Sequence, residues 1–195
     1  MITQILRRIF LGVLFLCSLS AYAVPIIDQP MPSFDLPDVN GAKHTLDEYK
    51  GKVVVLAFVS VRCPFSRGVD PQMIALQKAY ADKGVVVIGV NANASESVEE
   101  IKKAVDAMEW PGVMLRDEGN RYADVVGAKT TPECFVIDKT GKLVYQGAFD
   151  DRKQPETAGS VHYVENAVTA ILDGKSVDPK QVRSWGCSIK RVSKS

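Results

Sequence analysis

Histidine is scarce in this chain, and its net charge is close to zero. The 195 residues contain only two histidines, His44 and His162, and 24 basic against 23 acidic side chains. The two histidines show no metal-ligand spacing, so we expect neither of them to hold a metal. A formal net charge of +1 provides no strongly basic surface, so we expect no nucleic-acid partner.

Long hydrophobic runs are also lacking, apart from one near the N-terminus. Residues 1–23 combine Arg7 and Arg8 with an apolar run over residues 9–19, and they end in Ala-Tyr-Ala. This is the layout of a secretory signal peptide that is cleaved after Ala23. The run has about half of the roughly 20 residues that a membrane-spanning helix needs. We therefore expect an exported protein, periplasmic in a Gram-negative bacterium, with no membrane span after cleavage.

Cysteine is rare as well, with four in the chain, and Cys17 would leave with the signal peptide. The 172 residues that remain can form one domain with a full core, which needs no disulfide framework to fold. We assign residues 24–175 to this domain and residues 176–195 to a C-terminal tail. Three remaining cysteines, Cys63, Cys134 and Cys187, suggest one pair and one thiol left over.

The chain is organised around a predicted strand that ends at Cys63. Residues 53–59 are continuously apolar and mostly β-branched, which is typical of a strand covered on both faces. A helical pattern begins after Pro64, so Cys63 lies at a helix N-terminus, where free N–H groups and the helix dipole lower a thiol pKa. Arg62 and Arg67 add positive charge on either side. We predict a reactive thiolate; the alternative is a structural cysteine that caps the helix.

Further strands and helices follow in a regular order. This order predicts an α/β sandwich with one mixed sheet. Asp150, Asp151 and Arg152 are expected to form a charged loop. The predicted elements are strands at residues 85–90, 113–116, 133–138 and 143–149 and helices at residues 98–108, 120–126 and 161–172.

Several short motifs recur in an order that is familiar from a known family. They are Phe-Asp-Leu at residues 34–36, Tyr-Lys-Gly-Lys at 49–52, Cys63-Pro64, Thr131-Pro132 and Gly-Cys-Ser-Ile-Lys at 186–190. In this order the chain resembles the redoxin branch of the thioredoxin-like proteins, which includes peroxiredoxins of the alkyl hydroperoxide reductase type and exported thiol–disulfide oxidoreductases. The resemblance implies a thioredoxin-like sandwich, with a central mixed sheet flanked by helices and an N-terminal hairpin extension.

The resemblance also implies roles for individual residues. The Thr131–Pro132 bond is expected to be cis and to lie against Cys63, with the Thr131 backbone offering hydrogen bonds to a thiol partner. Pro64 and Ser66 are expected to complete this substrate groove. Ser60 matches a hydroxyl position of the peroxiredoxins, and we group it with Arg62 and Arg67 as thiolate-stabilising.

Two departures from the family pattern narrow the expected chemistry. Ser66 stands where Cys-x-x-Cys proteins have their second cysteine, so a local resolving thiol is lacking. Cys187, on a tail that we expect to be mobile, is predicted to resolve instead by exchange; a structural bridge or a cross-link between two molecules is the alternative. Leu56 stands where peroxiredoxins have proline, and residues 130–131 lack their arginine, which favours disulfide exchange over peroxide reduction.

Cys134 lies within an apolar strand and is predicted to be a buried core thiol. It follows Pro132 by two residues and so faces the same side of the sheet. A Cys63–Cys134 pair therefore remains an open alternative.

The predicted function is that of an exported thiol oxidoreductase without a cofactor. Its Cys63 thiolate attacks a disulfide, an oxidised sulfur or a peroxide, and Cys187 resolves the product. The partner is expected to be a thiol or disulfide protein, a small-molecule thiol or a peroxide. Two other classes stay open: a copper-handling protein that uses Cys63 and Cys187 as soft Cu(I) ligands, and a non-catalytic interaction module.

Overall fold

A computed structural model describes residues 25–193 of the chain. The predicted signal peptide and Cys17 lie outside these described residues. The strands are β1 (Asp35–Pro37), β2 (Lys43–Thr45), β3 (Val53–Val59), β4 (Val85–Asn91), β5 (Val113–Arg116), β6 (Thr130–Thr131), β7 (Glu133–Ile137), β8 (Leu143–Gly147) and β9 (Cys187–Ser188). The helices are α1 (Pro64–Tyr80), α2 (Val98–Ala107), α3 (Arg121–Val126) and α4 (Tyr163–Leu172), with 3₁₀ turns at Leu46–Tyr49, Ala81–Lys83 and Glu118–Asn120.

A five-stranded mixed sheet forms the centre, in the order β5-β4-β3-β7-β8. Strands β3, β4 and β5 are parallel, whereas β7 and β8 run antiparallel to their neighbours. All seven residues of β3 are buried, because this strand has a neighbour on each side and a layer on each face. The continuous apolar run in the sequence predicts this central place.

Side chains that alternate along β3 enter two separate cores. Val55 and Ala57 pack on the face covered by α1 and α4, while Leu56 and Phe58 pack on the face covered by α3 and the N-terminal segment. The predicted sandwich with a flanked mixed sheet is therefore confirmed.

The N-terminal extension is a hairpin of β1 and β2, which pair antiparallel from Asp35 with Thr45 to Pro37 with Lys43. Its turn is held by Asp38, whose Oδ1 accepts the backbone N–H groups of Asn40 and Ala42. This asparagine–glycine turn is the one that the sequence indicates.

Some element boundaries differ from the sequence prediction. Helix α4 begins at Tyr163 and not at residue 161, because Val161 exchanges hydrogen bonds with Asp151 and stays in the preceding loop. Strand β8 ends at Gly147, whose φ is 144°, two residues earlier than predicted. Within residues 25–193, none of the helices has the length and apolar character needed to cross a membrane.

The C-terminal tail lies along the domain and is held by backbone hydrogen bonds. Gln146 of β8 donates to the Lys180 carbonyl over 3.0 Å and accepts from the N–H of Val182 over 3.1 Å. The tail thus covers the outer edge of β8 before it returns to the end of the sheet where Cys63 lies. In the structure this segment is docked on the domain, and is not the mobile tail that the sequence predicts.

Candidate active site

Cys63 lies where β3 ends and α1 begins. It is the N-cap residue of α1, with extended backbone angles and Pro64 at the first helical position. Proline suits this position because its missing N–H would have no partner in the helix. The side chain of Cys63 is buried, with a residue exposure of 2%. The predicted junction between strand and helix is the one observed.

The Cys63 sulfur contacts three parts of the chain. Its Sγ donates to the Thr131 carbonyl over 3.0 Å, and it also lies within hydrogen-bond reach of the Cys187 thiol and the Ser66 backbone N–H. Burial raises the pKa of Cys63, but the hydrogen bonds from Cys187, the Thr131 side chain and Ser66 outweigh it and lower the pKa below its ordinary value. A lowered pKa is the condition for a nucleophilic cysteine at neutral pH.

Cys187 is brought to Cys63 by a short antiparallel pair between β9 and β6. Thr131 lies directly opposite Cys187 in this pair. Burial, followed by the hydrogen bond and the negative charge of Cys63, raises the pKa of Cys187 to about 11, against a smaller lowering by Lys190. The two thiols therefore differ: Cys63 is the better thiolate, and Cys187 is the proton donor in the hydrogen bond between them.

The tail reaches this position only because residue 186 is glycine. Gly186 has φ 134°, and a Cβ atom there would collide with the Thr131 carbonyl oxygen and crowd the Pro132 ring. The Thr131–Pro132 peptide bond is cis, as the resemblance implies. Cys63, Thr131, Pro132 and Cys187 are thus assembled at one end of the sheet.

The turn before Cys63 is held by the hydroxyl of Ser60. Its Oγ accepts the backbone N–H of Cys63 over 3.1 Å and that of Arg62 over 3.3 Å, and it donates to the buried carboxylate of Glu96. Ser66 closes the turn, since its Oγ accepts the N–H of Ser60 over 3.2 Å. Ser60 thus acts on the backbone around the thiol and gives its proton to Glu96.

The two arginines that flank Cys63 in sequence are paired with carboxylates. The Arg62 guanidinium makes two 2.6 Å hydrogen bonds to Glu100, and Arg67 lies 3.2 Å from Asp70. Neither arginine is among the groups that lower the pKa of Cys63. That Arg62 and Arg67 stabilise the thiolate remains a prediction, and neither is among the groups that hydrogen-bond to the Cys63 sulfur.

A buried ion pair supports the tail just before Cys187. Asp150 and Arg152 are 2.8 Å apart, with side-chain exposures of 0% and 1%, so the predicted charged loop is buried at these two residues. Arg152 also donates to the Gly68 carbonyl of α1. Trp185 donates to the Asp150 carbonyl over 3.0 Å and packs on Phe65 at 5.3 Å between ring centroids.

Cys134 takes no part in this cluster. Its side chain is fully buried in the core on the α1 face of the sheet, and burial raises its pKa. The three cysteines of the described chain are unbonded to one another. Among residues 25–193, no group of three or more histidine, cysteine or acidic side chains is arranged as a metal site.

Two groups in this site are missed by sequence reasoning. Glu96 and the Asp150–Arg152 pair lie in segments that read as polar loops. A weak signal exists for Glu96, because it follows β4, whose carboxyl end lies beside that of the parallel strand β3. Polar side chains at this edge of a parallel sheet commonly serve a site.

A thioredoxin-like sandwich with a low-pKa cysteine at a helix N-terminus and a cis-proline loop beside it defines a redoxin, a thiol protein of the thioredoxin fold. The comparison with protein families agrees. The chain belongs to the AhpC/TSA family, whose model matches residues 27–146.

Individual relatives refine this assignment. The thiol-disulfide oxidoreductase ResA of Bacillus thuringiensis is 31% identical over 121 residues, which cover 62% of this chain and 68% of the relative. A hypothetical protein from Sinorhizobium meliloti has a solved structure that matches with a TM-score of 0.81 and 31% identity, covering 88% of this chain and 98% of that one.

A third match concerns the fold alone. The thioredoxin domain of a thiol-disulfide oxidoreductase from Bacteroides vulgatus superimposes with a TM-score of 0.56 at 22% identity, covering 62% of this chain and 87% of that one. Together these comparisons confirm the predicted thioredoxin-like redoxin and place the chain among redoxins of the thiol–disulfide oxidoreductase type.

Proposed function

We propose that this protein is an exported thiol–disulfide oxidoreductase in which Cys63 attacks a disulfide and Cys187 resolves the mixed disulfide. The observation that carries the proposal is the hydrogen bond between the two thiols, with the pKa lowered at Cys63 and raised to about 11 at Cys187. Because the thiolate is the nucleophile, this asymmetry supports Cys63 as the attacking group.

In the first step, the Cys63 thiolate gives its electron pair to one sulfur of a substrate disulfide. A bond forms between Cys63 and that sulfur, the substrate S–S bond breaks, and the other substrate sulfur leaves as a thiolate that takes a proton from water. Thr131 and Ser66 contact the sulfur, and in this proposal they form the substrate groove together with Pro132 and Pro64.

The second step uses the change of charge at Cys63. While Cys63 is a thiolate, its charge and its hydrogen bond raise the pKa of Cys187. The mixed disulfide removes both causes, so Cys187 gives its proton to water more readily, and the resulting thiolate attacks the Cys63 sulfur. A Cys63–Cys187 disulfide forms, and the remaining substrate sulfur leaves as a thiolate. The substrate disulfide is thereby reduced to two thiols, and an external dithiol must reduce the protein again.

Disulfide exchange is favoured over peroxide reduction for two reasons. The family position of the peroxiredoxin proline carries Leu56, which is buried in the sheet, and no arginine stands at residues 130–131. The relative named above is a thiol-disulfide oxidoreductase. Export, with a periplasmic location in a Gram-negative bacterium, is proposed from the N-terminal segment.

The test uses the protein without residues 1–23, fully reduced and then treated with oxidised glutathione. Peptide mapping under non-reducing conditions is expected to find a Cys63–Cys187 disulfide. Cys187→Ser is expected to accumulate glutathione on Cys63, and Cys63→Ser to form neither product.

Cys134→Ser is the matched control, because that buried thiol should leave both products unchanged. A disulfide that contains Cys134, or glutathione on Cys187 in the unmodified protein, would refute the assignment. Faster oxidation of Cys63 by hydrogen peroxide than by oxidised glutathione would favour peroxide reduction as the activity of the protein. Export is tested separately, by sequencing the mature N-terminus, which should begin at Val24.

A further inference from the structure

We propose that Glu96 is a positioning residue for Cys63, because its carboxylate holds the turn from which the thiol projects. The inference rests on the proposed function, in which Cys63 is the nucleophile. Glu96 lies in the loop between β4 and α2, and only 2% of the residue is exposed. None of the chemical steps described above uses it, and a buried carboxylate needs compensating donors.

Four donors surround the Glu96 carboxylate. Its Oε1 accepts from the Ser60 hydroxyl and from the Arg62 backbone N–H, the latter over 3.1 Å. Its Oε2 accepts from the Asn91 side-chain amide and from the Val61 N–H, the latter over 3.3 Å. An ionised carboxylate accepts hydrogen bonds at both of its oxygens and carries no donor of its own. It therefore suits a site that is surrounded by donors.

Three of these four donors belong to the turn that ends at Cys63. Because Ser60 gives its only hydroxyl proton to Glu96, its oxygen presents lone pairs to the N–H groups of Arg62 and Cys63. The same turn is joined to the first turn of α1 by the bond from the Ser60 N–H to the Ser66 hydroxyl. Glu96 therefore acts on the thiol through the backbone, by keeping the start of α1 against the Cys63 sulfur.

The loop that carries Glu96 also holds the chain beyond Cys187. Asn93 Oδ1 accepts the Lys190 N–H over 2.7 Å, and the Ala94 N–H donates to the Lys190 carbonyl over 2.9 Å. Residues 91–96 are thus attached to the Cys63 turn on one side and to the Cys187 strand on the other. A displaced Glu96 should disturb the contact between the two thiols from both sides.

Glu96→Gln tests the inference with almost no change in volume. Its amide nitrogen would face the Asn91 amide and the Val61 N–H, so donors would oppose donors and the turn should open. The hydrogen bonds from Ser66 and Thr131 then weaken, and the pKa of Cys63 is expected to rise. A rise of about one in the pKa of Cys63 would lower the thiolate fraction, and with it the rate of alkylation by iodoacetamide, by about tenfold at any pH well below that pKa.

The measurement is the pH profile of Cys63 alkylation in the reduced chain, followed by peptide mass spectrometry. Other charges near the turn are already paired, Arg62 with Glu100 and Arg67 with Asp70, and Cys187 is the titratable group that contacts the sulfur. Glu99→Gln is the matched control: it removes the same charge from the exposed first turn of α2 and should leave the profile unchanged.

A rescue variant separates positioning from a general effect on folding. Asn91→Asp combined with Glu96→Gln exchanges the carboxylate and the amide, so a donor again meets an acceptor between these two side chains. This double variant is expected to recover most of the lost alkylation rate. Glu96→Asp, which keeps the carboxylate but withdraws it by one methylene, should shift the profile in the same direction by a smaller amount.

Each outcome decides the proposal. A raised pKa of Cys63 in Glu96→Gln with recovery in the double variant supports it. A lowered pKa would mean that the carboxylate acts on the sulfur by its charge, and an unchanged profile with a lower melting temperature would mean a structural role; either result overturns the inference. If Glu96→Gln does not fold, the Glu96→Asp profile decides in the same way. A wild-type Cys63 that reacts no faster than a free cysteine would instead overturn the proposed function.

Discussion

Replacing Arg152 by methionine is expected to destabilise the protein far more than the loss of a surface ion pair would. The Arg152 guanidinium makes three hydrogen bonds of 2.8–3.1 Å to the Asp150 carboxylate. It also donates to the carbonyls of Gly68 and Pro155. Both members of the pair are buried, so water cannot replace these contacts when the guanidinium is removed.

The expected magnitude follows from what is left behind. Without Arg152, the Asp150 carboxylate keeps only the backbone N–H groups of residue 152 and Gly159. A buried charge that loses its partner costs about 3–5 kcal/mol. For a domain of this size, about 1 kcal/mol corresponds to roughly 2–4 °C in Tm, so the Tm should fall by about 10 °C.

The assays are urea unfolding, for the free energy, and thermal unfolding, for the Tm, of the reduced protein, both followed by far-UV circular dichroism. Lys175→Met is the matched control, because Lys175 and Asp173 lie 2.9 Å apart with side-chain exposures of 72% and 56%. Such an exposed pair contributes no more than about 1 kcal/mol. Asp150→Asn combined with Arg152→Met should be more stable than Arg152→Met alone, because no unpaired charge remains. Equal losses in Arg152→Met and Lys175→Met would refute the reasoning.

Three further predictions concern the tail, the thiol pair and pH. Gly186→Ala places a Cβ against the Thr131 carbonyl, so formation of the Cys63–Cys187 disulfide by oxidised glutathione should slow markedly; a wild-type rate would show that the tail need not dock as closely as it does here. Cys187→Ala removes a hydrogen bond that lowers the pKa of Cys63, so the alkylation profile of Cys63 should move to higher pH, and a shift to lower pH would contradict the assignment. Burial raises the pKa of Asp70 to about 6, against the opposing charge of Arg67. Because the pKa is higher in the folded state, stability is full below the ordinary value and falls as pH rises through about 6. Asp70→Asn should therefore match the wild type near pH 3 and exceed it by up to about 3 kcal/mol at neutral pH, as measured by urea unfolding; equal stability at both pH values would count against this prediction.

The local sequence pattern was sufficient to predict those elements that are determined by neighbouring residues. The apolar run of β3, the proline after Cys63 and the amphipathic spacing of α1 are all contained within about one strand and one helix. The strand–helix junction could therefore be predicted with its cysteine in place. The cis bond at Pro132 came from family resemblance, since no local pattern demands it.

Local pattern failed where burial depends on distant partners. Asp150 and Arg152 belong to a segment that is predicted only as a charged loop, and charged residues are mostly exposed. They are buried because Arg152 reaches Gly68, 84 positions away, and because Trp185 of the tail covers them. Glu96 was missed for the same reason: its partner Ser60 lies 36 positions away, and the position of Glu96 after β4 is only a weak signal of the pairing.

Sequence alone is enough to predict the order of strands and helices, the central place of β3 and the position of Cys63 at a helix N-terminus, because these follow from hydrophobic periodicity and helix termination within a few residues. The thiol that contacts Cys63 and the buried carboxylate that binds its turn can be identified only from the folded chain. Those pairings are made by hydrogen bonds between segments that are far apart in the chain, such as β6 with β9, and they exist only once the sheet has brought the segments together.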